Sequence, residues 1–103
     1  GPVVNFARQC YGKGTPISVA SGGIRKTVIK TMEAIGIAEI FEVIITQDDV
    51  KNSKPAPDLF LLAAEKMNVR PHKCLVFEDS LLGIEAAKNA GMESLLVTPE
   101  DPQ

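Results

Sequence analysis

The sequence predicts an α/β fold: a parallel sheet with helices packed on both faces. Short β-branched runs alternate with stretches of helical length, so that strand–helix–strand recurs three times along the chain. The strand runs are apolar on consecutive residues, which suits strands covered on both faces. Each run is followed by polar residues, and in open α/β sheets ligands bind at the carboxyl ends of the strands.

The elements follow in order. Pro2 to about Tyr11 reads as a helix; Pro2, Asn5, Gly12, Gly14 and Pro16 leave no room for a strand before residue 17. Ile17-Ser18-Val19-Ala20 is the first strand, ended by Ser21-Gly22-Gly23. Ile24, Val28, Ile29, Met32 and Ile35 then fall at helical spacing, opposite Arg25, Lys26, Lys30 and Glu33, and Gly36 ends that helix. Glu42–Thr46 is the second strand, followed by a polar loop through Asp48, Asp49 and Lys54 that Pro55 and Pro57 close. Leu59, Leu62, Ala63 and Met67 mark a third helix, with Pro57 or Asp58 in its first turn, where a missing N–H costs little and a carboxylate suits the dipole. Cys74–Phe77 is the third strand. The last helix runs from about Ser80 to Ala90 and stops at Gly91; its inner stripe of Gly83, Ala86, Ala87 and Ala90 lets it lie close on a sheet. Ser94–Val97 is the fourth strand, and Thr98–Asp101 reads as a loop.

Composition narrows the function. At 103 residues the chain is one small domain or part of one, and 45% hydrophobic with 23% charged residues fits neither a disordered tail nor a fibre. No run of 18 apolar residues is present to span a membrane. A net charge of −2 without a basic stripe argues against nucleic acid. Cys10 and Cys74 sit in no metal spacing, as in a reduced, cytoplasmic protein.

Three strand ends carry candidate chemistry. Ser21-Gly22-Gly23 offers a hydroxyl and free backbone N–H groups where a helix starts, a phosphate cradle or simply a capped turn. Lys54 sits against two prolines, so its ammonium is either a rigidly carried charge neutraliser for a phosphoryl group or a solvated surface lysine. Glu78-Asp79 leaves the third strand as two adjacent carboxylates, hard ligands of the kind Mg²⁺ takes, with Asp79 or Ser80 alternatively capping the last helix. Asp48 and Asp49 read as ligands or, more commonly for such residues, as caps. Serine, lysine and acidic pair at three successive strand ends favour a phosphate-plus-Mg²⁺ site over three separate accidents.

In this order, Ala20-Ser21, Lys54-Pro55-Ala56-Pro57-Asp58 and Val76-Phe77-Glu78-Asp79-Ser80 followed by Gly83-Ile84 and Ala86-Ala87 resemble the haloacid dehalogenase superfamily of phosphohydrolases. More narrowly they resemble its β-phosphoglucomutase-like branch, which includes fructose-1-phosphate phosphatase. The resemblance implies a Rossmannoid core and Mg²⁺-dependent hydrolysis of small phosphorylated metabolites. A nucleophilic Asp forms an aspartyl-phosphate and a second Asp two residues on acts as acid and base. It further implies that Ser21 and the Gly22 N–H bind the transferring phosphoryl group, that Lys54 offsets its charge, and that Asp79 and Glu78 hold Mg²⁺.

The family's Asp-x-Asp stands at the end of a strand and before a cap that both precede the serine motif. This chain has aspartates only at 48, 49, 58, 79 and 101. The expectation is therefore that residues 1–103 are the C-terminal part of such a core, inactive alone, whose partner is the N-terminal half with the Asp-x-Asp strand and cap. The sheet should be open where that strand belongs, with the strands ending at Ala20 and Phe77 about 9–10 Å apart, twice the adjacent-strand spacing. A phosphomutase of the same family and a binding module without the nucleophile are the alternatives. Substrate identity, set largely by the cap, is not encoded here.

Overall fold

Strands and helices alternate throughout the computed structural model, which describes residues 2–97; the loop expected at Thr98–Asp101 lies outside the described residues. The order is α1 (Pro2–Gly12), β1 (Ser18–Ala20), α2 (Arg25–Ala34), β2 (Val43–Ile45), α3 (Asp58–Met67), β3 (Leu75–Glu78), α4 (Leu81–Asn89) and β4 (Glu93–Leu96). Short 3₁₀ turns at Ala38–Ile40, Gln47–Asp49 and Pro71–Lys73 lead into or out of strands. No helix among the described residues is long and apolar enough to cross a membrane.

The strands form two parallel pairs instead of one sheet. β1 pairs with β2, with Ser18, Val19 and Ala20 opposite Val43, Ile44 and Ile45. β3 pairs with β4, from Leu75 opposite Glu93 to Glu78 opposite Leu96. β1 and β3 share no ladder, and a cleft of about 540 Å³ lies between them, lined by Ile17–Ala20 of one pair and Leu75–Phe77 of the other, with α1 and α3 closing its sides. The sheet is thus open between β1 and β3, as expected.

Alternation along the strands puts helices on both faces. Ile17, Val19 and Ile44 pack with Val28 and Met32 of α2 and with Val4 and Ala7 of α1. On the opposite face Ala20, Val43 and Ile45 meet Leu59 and Ala63 of α3. Leu59 is fully buried, and withdrawing such a side chain from water contributes about 1.5–3 kcal/mol. Phe60 and Ala64 of α3 continue into a cluster with Ala86, Ala87 and Ala90 of α4 and Val76 of β3, so α3 bridges the two strand pairs. The other face of β3 is covered only in part: Phe6 of α1 stands edge-on to Phe77 at 5.5 Å, while Leu75 and Leu95 stay half exposed.

Helix ends follow the sequence signals closely. Gly36 and Gly91 take positive φ after α2 and α4, allowing Ile37 and Met92 to donate back to Met32 and Ala87. The apolar stripe expected for α2 is shorter than its spacing suggests. Ile24 and Ile35 are the capping residues, each more than half exposed, and Val28 and Met32 alone are buried within the helix. Strand bounds shift by a residue: Glu78 belongs to β3, and Cys74 lies before it.

Candidate functional site

Parallel pairing brings the carboxyl ends of each pair to one side, and a contact across the pairs joins those ends. Lys54, in the loop after β2, reaches the last residue of β3: its Nζ lies 2.8 Å from Glu78 Oε2. Both side chains are largely enclosed, 17% and 9% exposed, so this ion pair is screened less than a surface pair. The ammonium also sits over the Phe60 ring, 5.2 Å from its centre. The loop that carries Lys54 is fastened at two points. Asn89 Nδ2 of α4 donates to the Pro55 carbonyl at 2.9 Å, and Asp58 Oδ2 accepts from the Asn52 backbone and side chain at 3.2 Å each. Pro57 stands at the N-cap position of α3 without a side-chain cap, and Asp58 is the residue found in the first turn.

The two adjacent carboxylates at the end of β3 differ in burial. Glu78 turns inward, and besides Lys54 its other oxygen accepts from the Asp79 N–H at 3.1 Å and from Ser80 Oγ at 3.2 Å. Asp79 is exposed. Ser80 caps α4, its Oγ accepting from the Gly83 N–H at 3.1 Å. One hydroxyl therefore serves both the helix end and Glu78. Burial pushes the Glu78 carboxyl up. The hydrogen bond and charge of Lys54, with the bonds from Asp79, outweigh burial and hold it below the ordinary glutamate range.

This sets a pH dependence. A carboxyl lowered in the folded state stabilises fully above the unfolded value of about 4.3 and loses that contribution as pH falls through its folded value. The stability advantage of the wild-type chain over Glu78→Gln should therefore shrink as pH drops from 6 to 3. Urea titrations of both chains across that range measure it; an advantage that grows on acidification would contradict the pairing.

Ser21 follows β1, its N–H continuing the ladder to the Ile45 carbonyl at 2.9 Å and its Oγ accepting from the Gly23 N–H at 3.2 Å. Gly22 is exposed with open space where a side chain would stand. The turn is joined to the end of β2 through Gln47 N–H to the Gly23 carbonyl at 3.1 Å. Ser21 thus lies at the carboxyl end of its pair, as Lys54 and Asp79 do, without touching either in this structure.

Asp48 and Asp49 are caps. Asp48 Oδ2 accepts the Arg25 N–H at 3.0 Å, supplying the start of α2 with the carboxylate that Ile24 cannot. Asp49 closes a capping box on Thr46, accepting its N–H at 2.8 Å, and pairs with Arg25 at 3.3 Å. Among the described residues no group of three or more His, Cys, Asp or Glu side chains could hold a metal ion. The chain's own donors for a hard cation at this edge are the exposed Asp79 carboxyl and a Glu78 already engaged. That set fits Mg²⁺, which takes one or two carboxylates and completes its shell with phosphate and water. Burial pushes the Cys74 thiol up, away from nucleophile chemistry.

One part of this arrangement escapes a reading of motifs. Asn89 gives no signal in sequence, since its bond spans 34 positions. Gly83 does give one, a glycine inside a helix, but its neighbour is the Glu78 side chain and not merely a sheet.

Comparison with known proteins fits this geometry. The haloacid dehalogenase-like hydrolase family model matches residues 5–97. The chain is 37% identical over 94 residues to the fructose-1-phosphate phosphatase of Escherichia coli, covering 91% of this chain and 50% of that protein. It is 37% identical over 83 residues to a phosphorylated carbohydrates phosphatase of Thermotoga maritima, covering 81% and 38%. The crystal structure of a β-phosphoglucomutase from Clostridium difficile superposes with a TM-score of 0.85 at 30% identity, over 94% of this chain and 43% of that one. The chain spans half or less of the length of each.

Proposed function

The chain belongs to the haloacid dehalogenase-like hydrolase family, and we propose that it forms the phosphate- and metal-binding half of a Mg²⁺-dependent phosphohydrolase acting on small phosphorylated metabolites. The observation that carries this reading is Lys54. A lysine on a fastened loop, paired with a buried carboxylate beside an exposed aspartate, all at the carboxyl ends of parallel strands, is a device for anionic ligands. In this reading Ser21 and the Gly22 N–H bind the phosphoryl oxygens, Lys54 offsets their charge, and Asp79 holds Mg²⁺ with Glu78 behind it. The metal, when bound, supplies charge stabilisation on the phosphoryl group.

The covalent step needs an Asp-x-Asp pair, and the cleft between β1 and β3 is where we place the strand that brings it. Two parallel edges face that cleft, and its walls are apolar, as a central strand requires. The partner is therefore the half carrying that strand and the cap. The β-phosphoglucomutase neighbour supports a second reading, phosphoryl return to a sugar; release of inorganic phosphate distinguishes the two.

The test compares the complete protein with residues 1–103, each assayed with Mg²⁺ on a panel of sugar phosphates and p-nitrophenyl phosphate. Hydrolysis by the complete protein and none by the shorter chain is the expected result. Turnover by residues 1–103 that survives repurification and is abolished by Lys54→Ala would overturn the division of labour. No turnover of any phosphate ester by the complete protein would leave a binding module.

A further inference from the structure

We propose that Gly83 is a positioning residue for Lys54, acting through Glu78: the space left by its missing side chain is what the Glu78 carboxylate occupies, and a carboxylate in that space holds the ammonium at the strand ends. That the ammonium then meets phosphate rests on the function proposed above; the link from Gly83 to Lys54 does not.

Gly83 lies within α4, one turn from its cap, and is buried. Its backbone gives no reason for glycine, because positive φ among the described glycines is found at Gly14, Gly36 and Gly91. Inside a helix a glycine costs about 1 kcal/mol relative to alanine, so something must offset that loss. Close packing on the sheet is not a sufficient cause: Ala86 and Ala87, on the same helix, are fully buried and carry their methyl groups without difficulty. The space around Gly83 has one specific occupant. A Cβ there would overlap the Glu78 side chain at Cδ, Cγ and Oε2.

Those atoms are not a loose side-chain tip that can step aside. Oε2 is the oxygen that meets Lys54 at 2.8 Å, and Oε1 is held by the Asp79 N–H and by Ser80 Oγ. Ser80 Oγ in turn accepts from the Gly83 N–H, so the glycine both makes room for the carboxylate and orients one of its donors. A methyl group at 83 must expel the carboxylate from this position, and Lys54 then loses its partner while keeping its loop and the Phe60 ring. The same substitution improves helix propensity. Function and local helix stability are therefore pushed in opposite directions, which a purely structural glycine would not do.

The experiment follows the Lys54 ammonium directly, by ¹⁵Nζ NMR of the chain with the signal assigned through its loss in Lys54→Arg. Gly83→Ala and Glu78→Gln should each move the signal to the position of solvent-exposed lysines and speed its hydrogen exchange. In the complete protein, Gly83→Ala should lower kcat on a phosphate monoester about tenfold or more, yet cost less than about twofold when Glu78 is already Ala. An unmoved Lys54 signal in Gly83→Ala, or an equal cost in both backgrounds, would overturn the proposal. If Gly83→Ala does not fold, Glu78→Gln decides by the same signal, unchanged being the overturning result. Failure of the function reading looks different: Lys54→Ala would then leave hydrolysis intact while the NMR changes persist.

Discussion

Replacing Lys54 with alanine in the complete protein should lower kcat/KM for phosphate monoesters by about 10²–10³-fold, the size seen when one preorganised electrostatic donor is removed from an active site. The reason is geometric. The ammonium is fixed by a short ion pair, an aromatic face and a loop tied to α4, so it meets a phosphoryl group with little reorganisation. Lys54→Arg should restore only part of the activity, because a planar fork does not reproduce a compact point charge between Glu78 and the Phe60 ring. Lys54→Ala also leaves a buried carboxylate with two donors in place of three, and breaking a buried pair costs up to about 3–5 kcal/mol. Kinetics should therefore be read beside an unfolding curve. A folded Lys54→Ala protein that retains activity within about tenfold would sink the role assigned to this lysine.

The second large effect concerns Asp79. Asp79→Asn in the complete protein should raise the Mg²⁺ concentration needed for half-maximal rate and reduce the maximal rate by about 10²-fold or more, since an amide is a poor ligand for a hard cation that binds few protein groups. Asp48→Asn and Asp49→Asn are the informative controls. Both carboxylates are engaged in capping, with the Arg25 N–H and with Thr46, and an asparagine keeps the accepting oxygen, so these substitutions should cost little stability and leave the Mg²⁺ dependence nearly unchanged. Steady-state rates across a Mg²⁺ titration separate these outcomes. If Asp48→Asn proves as damaging as Asp79→Asn, the metal belongs to the loop after β2 and not to the end of β3.

Much of the fold was legible because its signals are local. The β-branched runs, the glycines after α2 and α4, Pro57 before α3 and Ser80 before α4 each act through their immediate neighbours, and each marks an element boundary to within a residue or two. The three strand ends with candidate chemistry were legible for the same reason. So was the open sheet: β1–β2 and β3–β4 pair separately, with a cleft between β1 and β3.

What the sequence could not determine is where a side chain goes once its neighbours come from distant elements. Glu78 and Asp79 are equivalent by type and adjacency. Only the arrival of Lys54 from 24 positions upstream, and the empty space at Gly83, draw one inward and leave the other exposed. Ile24 and Ile35 match the spacing of α2's buried face, yet the helix is too short to cover them. Asp48 and Asp49 read more readily as caps than as ligands, and Arg25 and Thr46 beside them settle it for caps. By itself the sequence determined the order of elements and the residue types at each strand end, because hydrophobic periodicity and turn chemistry act within a few residues. The tertiary structure alone decided which carboxylate is spent on a lysine and which faces outward, because ion pairing and steric exclusion act between side chains that only folding brings together.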